Sequence, residues 1–355
     1  MIKGAIIGIL NSAFFALPAI LGCGVDPEAD FPVQQTGPSP LKMDLREEGT
    51  LVLRAEEGKK LVSATHVLPN GNGTLVVADK KSGNVVEVTA DGLIIGEYRH
   101  LEGEGRNFTE PKYLIWTPSG GLIVLDSRYA YEFDKDKNYV EKRPWSYVEK
   151  MEYNDAGRYA KLVSRGRFLF SVGPTEDGEY GLLSIGNMSL LRKYENKGMV
   201  LKGDSLVVTT NLDNVLRVYD INKGQLIGKY LVDERQVSND LFSAVDSRHE
   251  PRFVKEWSNA AHLIDLHYLQ KIGVYIVLVV APKTEEMKED GEGLGYYLVY
   301  DDQFRRVGRI DPDYGWLAGT ADEGLLYMRQ KSYIGDSGNL ADPVVKVYKI
   351  AVSDI

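Results

Sequence analysis

Residues 108–140 read FTEPKYLIWTPSGGLIVLDSRYAYEFDKDKNYV, and the order of parts in this stretch decides the fold. Pro111 opens the inner strand, in PKYLIWTPS (111–119). In GGLIVLD (120–126) a Gly-Gly turn precedes a second apolar strand that ends in Asp126. AYEFDKDKNYVEK (130–142) follows as an apolar-aromatic strand, a polar turn and another strand. Short apolar or β-branched runs bounded by Gly, Asp and Asn read as strands joined by tight turns. The unit is four antiparallel strands.

The same unit recurs along the chain. Copies of its second strand are GTLVVAD (73–79), GGLIVLD (120–126), GRFLFSV (166–172), GDSLVVTT (203–210), IGVYIVLVV (272–280) and EGLLYMRQ (323–330). With Leu75, Leu122, Phe168, Leu206, Tyr275 and Leu325 as markers, the steps are 47, 46, 38, 69 and 50 residues. Four strands repeated at about 40–50 residues predict the blades of a β-propeller. Six copies predict six four-stranded blades over residues 45–355, an all-β fold. The last copy has three strands, so GTLVLRAEE (49–57) is expected to supply its outermost one and close the ring. The long step locates an insertion at 231–259.

Composition narrows the function classes. The chain has a net charge of −9, 10% aromatic residues, 36 glycines and one cysteine. An acidic balance argues against nucleic acid as a partner. The longest apolar run after the N-terminus, Ile272–Ala281, suits one buried strand and is too short to span a bilayer.

The start of the chain, MIKGAIIGILNSAFFALPAILGCG (1–24), has one lysine, an apolar run, and Gly22 before Cys23. That is the plan of a secretory signal peptide. Ile20-Leu21-Gly22-Cys23 resembles the lipobox of bacterial lipoproteins. The resemblance implies cleavage after Gly22 and a covalent lipid on the Cys23 sulfur. Removing residues 1–22 takes away Lys3 and leaves −10. An uncleaved anchor competes with this reading, but Asn11 and Pro18 interrupt a run already marginal for spanning. Plain secretion competes too, and leaves the lone cysteine without a role. Residues 23–44 hold four prolines without periodicity and read as a flexible tether. The protein is then expected in the cell envelope, lipid-anchored and exposed outside the cytoplasm.

Over residues 73–79 and 108–140 the chain resembles the NHL-repeat and TolB-like six-bladed propellers. The resemblance implies fold more than activity. A binding or scaffold module for a protein or peptide is the leading expectation, with 231–259 as its specificity element. The rival is a gluconolactonase-like metal-dependent hydrolase. Its channel cation would draw on Glu110, Asn211, Asp213 and Asp265, which no ordered motif connects. A carbohydrate binder using Trp116, Trp257, Trp316 and Tyr314 is a third reading.

Candidate site residues follow from position. Asp79 and Asp126 end equivalent strands; each either lines a rim or accepts backbone hydrogen bonds in the next turn, and turn chemistry predicts the repetition. His66, Lys112, Lys161, His262 and Trp316 fall on innermost strands, which line the central channel. Asp265 and His267 share a strand face, whereas the odd spacing from His262 to His267 separates those two. No metal site and no cofactor beyond the lipid are expected, with a channel divalent cation left open. There is no Gly-x-Ser-x-Gly elbow, and the acidic run Glu285–Asp290 reads as a solvated hairpin tip. The sequence favours binding over catalysis.

Overall fold

The structure, a computed structural model, describes residues 31–54, 61–100, 107–117, 119–126, 129–144, 163–165, 168–174, 180–184, 196–203, 205–210, 214–220, 225–232, 262–280, 295–330 and 342–354. Val33–Ile355 form one compact unit.

Strand β1 (Leu41–Val52) comes first and joins the last sheet. The first blade holds β2 (His66–Pro69), β3 (Leu75–Asp79), β4 (Asn84–Val88) and β5 (Ile94–Glu97). The second holds β6 (Tyr113–Trp116), β7 (Leu122–Leu125), β8 (Tyr129–Phe133) and β9 (Tyr139–Pro144). The third sheet has β10 (Val163–Arg165), β11 (Phe168–Pro174) and β12 (Tyr180–Ser184). The fourth blade is β13 (Asn196–Lys202), β14 (Ser205–Thr210), β15 (Val215–Asp220) and β16 (Gln225–Leu231). The fifth is β17 (His262–Leu269), β18 (Val274–Val280), β19 (Gly295–Asp301) and β20 (Arg306–Ile310). The sixth runs β21 (Trp316–Ala321), β22 (Leu325–Arg329), β23 (Val344–Asp354) and then β1.

The innermost strands touch in the cyclic order β2, β6, β10, β13, β17, β21 and back to β2. Six antiparallel sheets therefore close into a propeller. The expectation of six four-stranded blades needs correction: five complete four-stranded blades are described, and the third sheet has three strands. Residues read as its fourth strand fall in 185–195, outside the described residues.

The core lies between blades rather than within them. One apolar cluster joins blades one and two, through Val76, Tyr98, Leu114 and Phe133. Others join four to five, five to six, and six to one. A sheet buried on both faces loses the alternation of apolar and polar residues. That is why VYIVLVV in β18 reads as one continuous run: its first six residues are all buried. Where β21 passes β2, a side chain at Gly319 would overlap the Val67 carbonyl, so only glycine allows this approach.

Closure follows the expected plan, with different bounds. β1 pairs antiparallel with β23 from Leu41 opposite Asp354 to Val52 opposite Val344, beginning eight residues before the expected Gly49. The chain before it is also held, which corrects the reading of a free tether through residue 44. Gln34 forms a parallel bridge to Tyr230 on β16, and Pro38 one to Arg306 on β20. The Gln34 N–H donates to the Lys229 carbonyl at 2.8 Å, and the Leu231 N–H donates back to Gln34 at 3.0 Å. The Ser39 hydroxyl donates to Asp301 at 2.7 Å. After β1, the Arg54 N–H reaches the Gly92 carbonyl of blade one at 3.3 Å. Residues 33–54 thus contact four consecutive blades, covering exposed sheet edges as they go.

Candidate functional site

Asp79 and Asp126 do the same work in blades one and two. The Asp79 carboxylate is fully buried and accepts the N–H of Val62 at 2.5 Å and the Ser63 hydroxyl at 2.9 Å. It also takes the N–H groups of Lys81 and Ser82 in the following turn, at 2.9 and 3.2 Å. Asp126, equally buried, accepts from Tyr129 N–H at 2.8 Å and from Thr109 N–H at 3.4 Å. Each carboxylate therefore ties the chain entering its blade to the turn leaving the second strand, and both are engaged inside the fold.

His66 and Trp316 begin the inner strands β2 and β21, and Lys112 directly precedes β6. His66, half-buried, accepts the Leu114 N–H on Nδ1 at 3.3 Å, which places the proton of its neutral form on Nε2. Its ring lies edge-on to Tyr113, centroids 5.8 Å apart. Burial pushes the Tyr113 phenol well above its ordinary range, and the Asp265 carboxylate adds to that. Tyr113 belongs to blade two and Asp265 to blade five.

Asp265 accepts its neighbour's N–H, from Leu266, at 2.8 Å and lies 3.1 Å from Nε2 of the buried His267. The expected shared face of these two residues is present. The argument that separates His262 fails, because a β-bulge between Leu263 and Asp265 resets the phase. The backbone at His262, Asp265 and His267 pairs with Val280, Leu278 and Ile276, alternate positions of β18. Among the described residues, no three His, Cys, Asp or Glu groups come together as a metal site.

Lys112 sits mostly buried, 3.6 Å from Glu110, which is 3.5 Å from Lys80. Burial pushes the Lys112 ammonium down, Lys80 adds to this, and Glu110 and Asp126 oppose it. A carboxylate between two ammonium groups is a poor ligand for a further cation, which weakens the role given to Glu110 in the hydrolase reading. Trp316 packs near Gly295 and Leu278, in the apolar seam between blades five and six. Cys23, Lys161, Asn211, Asp213, Trp257, Glu285–Asp290 and 233–259 of the insertion lie outside the described residues.

A second feature lies at the far end of β2 and β6, on the opposite face. A cavity of about 530 Å³ opens between blades one and two. Glu87 forms part of its wall, near the end of β4 and nearly fully buried. It accepts from Asn70 Nδ2 at 3.1 Å, from the Thr74 hydroxyl, and from Lys137 Nζ. Burial alone would raise the Glu87 pKa, but these donors outweigh it and hold the carboxyl below its ordinary value. Lys137 arrives from the turn of blade two in a left-handed backbone conformation, φ 68°. Its ammonium also lies 5.9 Å from the centre of the Tyr98 ring. Trp116 forms another wall, its indole N–H donating to the Pro69 carbonyl at 2.8 Å.

Sequence reading overlooks this cavity. One signal was present: Glu87 interrupts the otherwise apolar VVEV of β4.

No protein-family model matches the chain, and no curated protein matches it. Solved structures do. A protein of Bacteroides fragilis NCTC 9343 described as exported aligns with TM-score 0.60 and 8% identity, over 87% of this chain and 95% of that one. A DUF4221 family member from Bacteroides vulgatus ATCC 8482 aligns with TM-score 0.55 and 9% identity, over 88% and 99%. Identities this low establish a shared fold and nothing finer.

Proposed function

We propose that the protein is an exported lipoprotein, held at a membrane through Cys23, whose β-propeller serves as a binding scaffold. The observation that carries this reading is the path of residues 33–54. Chain leaving the attachment point is bonded along the edges of four consecutive blades. A pull at the N-terminus is thereby distributed over many backbone hydrogen bonds, which suits a disc displayed from an anchor. The lipobox-like Ile20-Leu21-Gly22-Cys23 and the likeness to a protein described as exported support the same view. The partner is a protein or peptide, with the 231–259 insertion as its specificity element.

Metabolic labelling with a palmitate analogue tests the anchor. The wild-type chain should take up label and sediment with membranes, and Cys23→Ser should lose the label. Equal labelling of both would refute lipidation at this residue. For the scaffold role, cross-linking in intact cells should capture a partner that is lost on deleting 231–259. Capture that is indifferent to the deletion would remove the insertion from the proposal.

A further inference from the structure

We propose that the cavity between blades one and two binds a neutral saccharide. This goes beyond the scaffold reading and does not depend on the anchor. The size fits, since about 530 Å³ falls within the range of roughly 300–1,000 Å³ typical of small-molecule sites. The charge balance decides the ligand class. Both lysines at the cavity are paired, Lys137 with Glu87 and Lys135 with Asp136 at 2.9 Å. An anion would have to compete with those carboxylates. A neutral ligand meets no such competition.

The walls then distinguish a sugar from an apolar ligand. Trp116 is half-buried with its only donor engaged on Pro69, so it presents ring carbon to the cavity rather than a hydrogen bond. The C–H face of a pyranose packs on such a surface. Asn70 and Asn72 stand in the turn beside it. Asn70 gives its amide to Glu87, and Asn72 accepts from Thr74 N–H at 3.1 Å. The Asn70 carbonyl oxygen and the Asn72 amide are the groups that complement sugar hydroxyls, as acceptor and donor. Glu87 is fixed by three donors, and Asn72 by its turn. The hydrogen-bonding wall is therefore preorganised, which lowers the cost of ordering on binding.

Saturation-transfer NMR on the full chain tests this. The panel is glucose, galactose, N-acetylglucosamine, maltose and cellobiose, with glucose 6-phosphate as the anionic control. At least one neutral sugar should give a signal insensitive to added salt. Trp116→Leu should weaken it by about tenfold or more, the effect of losing one stacking surface. Asn72→Ala, on an exposed turn where folding is little affected, should weaken it several-fold, and Trp316→Phe should leave it unchanged. No signal from any neutral sugar would overturn the proposal. So would a signal that Asn72→Ala leaves intact, or binding of glucose 6-phosphate alone that fades with salt.

Discussion

Blades two and five carry the same turn and put it to different uses. In blade two the turn is Asp134–Asn138; in blade five it is Asp301–Arg305. In both, the opening aspartate carbonyl accepts the N–H of the fourth residue, Lys137 at 3.1 Å or Phe304 at 2.9 Å. In both, the aspartate Oδ1 accepts the third and fifth N–H groups, each at 2.9 Å. The fourth residue is left-handed in each, φ 68° at Lys137 and 58° at Phe304. Such a conformation costs a non-glycine residue about 1–2 kcal/mol, so the side chain must make good use of its position. Both side chains reach back to the preceding blade. Phe304 stacks on Tyr230 at 4.2 Å and Tyr275 at 4.8 Å, filling the seam. Lys137 meets a buried carboxylate beside the cavity, at one end of a seam whose remainder is apolar core. The lesson is that this turn fixes where the fourth side chain goes, and the residue placed there decides whether that end of the seam is filled by stacked rings or lined by an ion pair. Blade one has the third version, with Gly92 in the left-handed position, where a side chain would overlap the Val52 carbonyl of β1.

The largest effect is expected where the turn builds core. Phe304→Ala should destabilise the protein by about 3–5 kcal/mol, the usual cost of removing a buried phenylalanine. Urea unfolding measures this, and a loss below about 1 kcal/mol would mean the stack does not hold the seam together. The paired change, Lys137→Ala, should cost only about 1 kcal/mol at neutral pH, because the lysine head is itself a third exposed. Its pH dependence has a definite sign. The Glu87 pKa is held below the ordinary 4.5, so its contribution is complete above that value and disappears as pH falls through the folded value. Without Lys137 the carboxyl loses a donor while burial still pushes it up. The gap between wild type and variant should therefore be widest near neutral pH and close on acidification below the ordinary carboxylate range. A gap that does not change with pH would show that Lys137 acts through packing, not charge. Smallest of all, Lys135→Ala should leave the unfolding midpoint unmoved, since its pair with Asp136 is exposed on both sides.

How much of this was legible in the residues depends on the range of the interaction. The repeat was legible because each blade needs the same local order of strand, glycine turn and strand. The turn role of Asp79 and Asp126 was legible for a related reason: a carboxylate after a strand bonds N–H groups two or three residues on. The phase of β17 was not. Counting by twos from His262 fails at a bulge, and a bulge is set by how β17 pairs with β18. Residues 33–44 were misread because prolines without periodicity resemble a linker, while their hydrogen-bond partners lie about 200 residues or more away. Glu87 and Lys137 are 50 positions apart in different blades, so their pairing has no local pattern.

By itself the sequence determined the strands, the antiparallel hairpins and the propeller class, because these follow from side-chain periodicity and turn chemistry within some 50 residues. Only the tertiary structure decided what happens between blades. It bonded residues 33–54 over four blades, packed Phe304 between two tyrosine rings, and set Lys137 against a buried carboxylate beside a cavity. Those outcomes depend on which side chains of distant strands meet when the ring closes, and closure is a property of the whole chain.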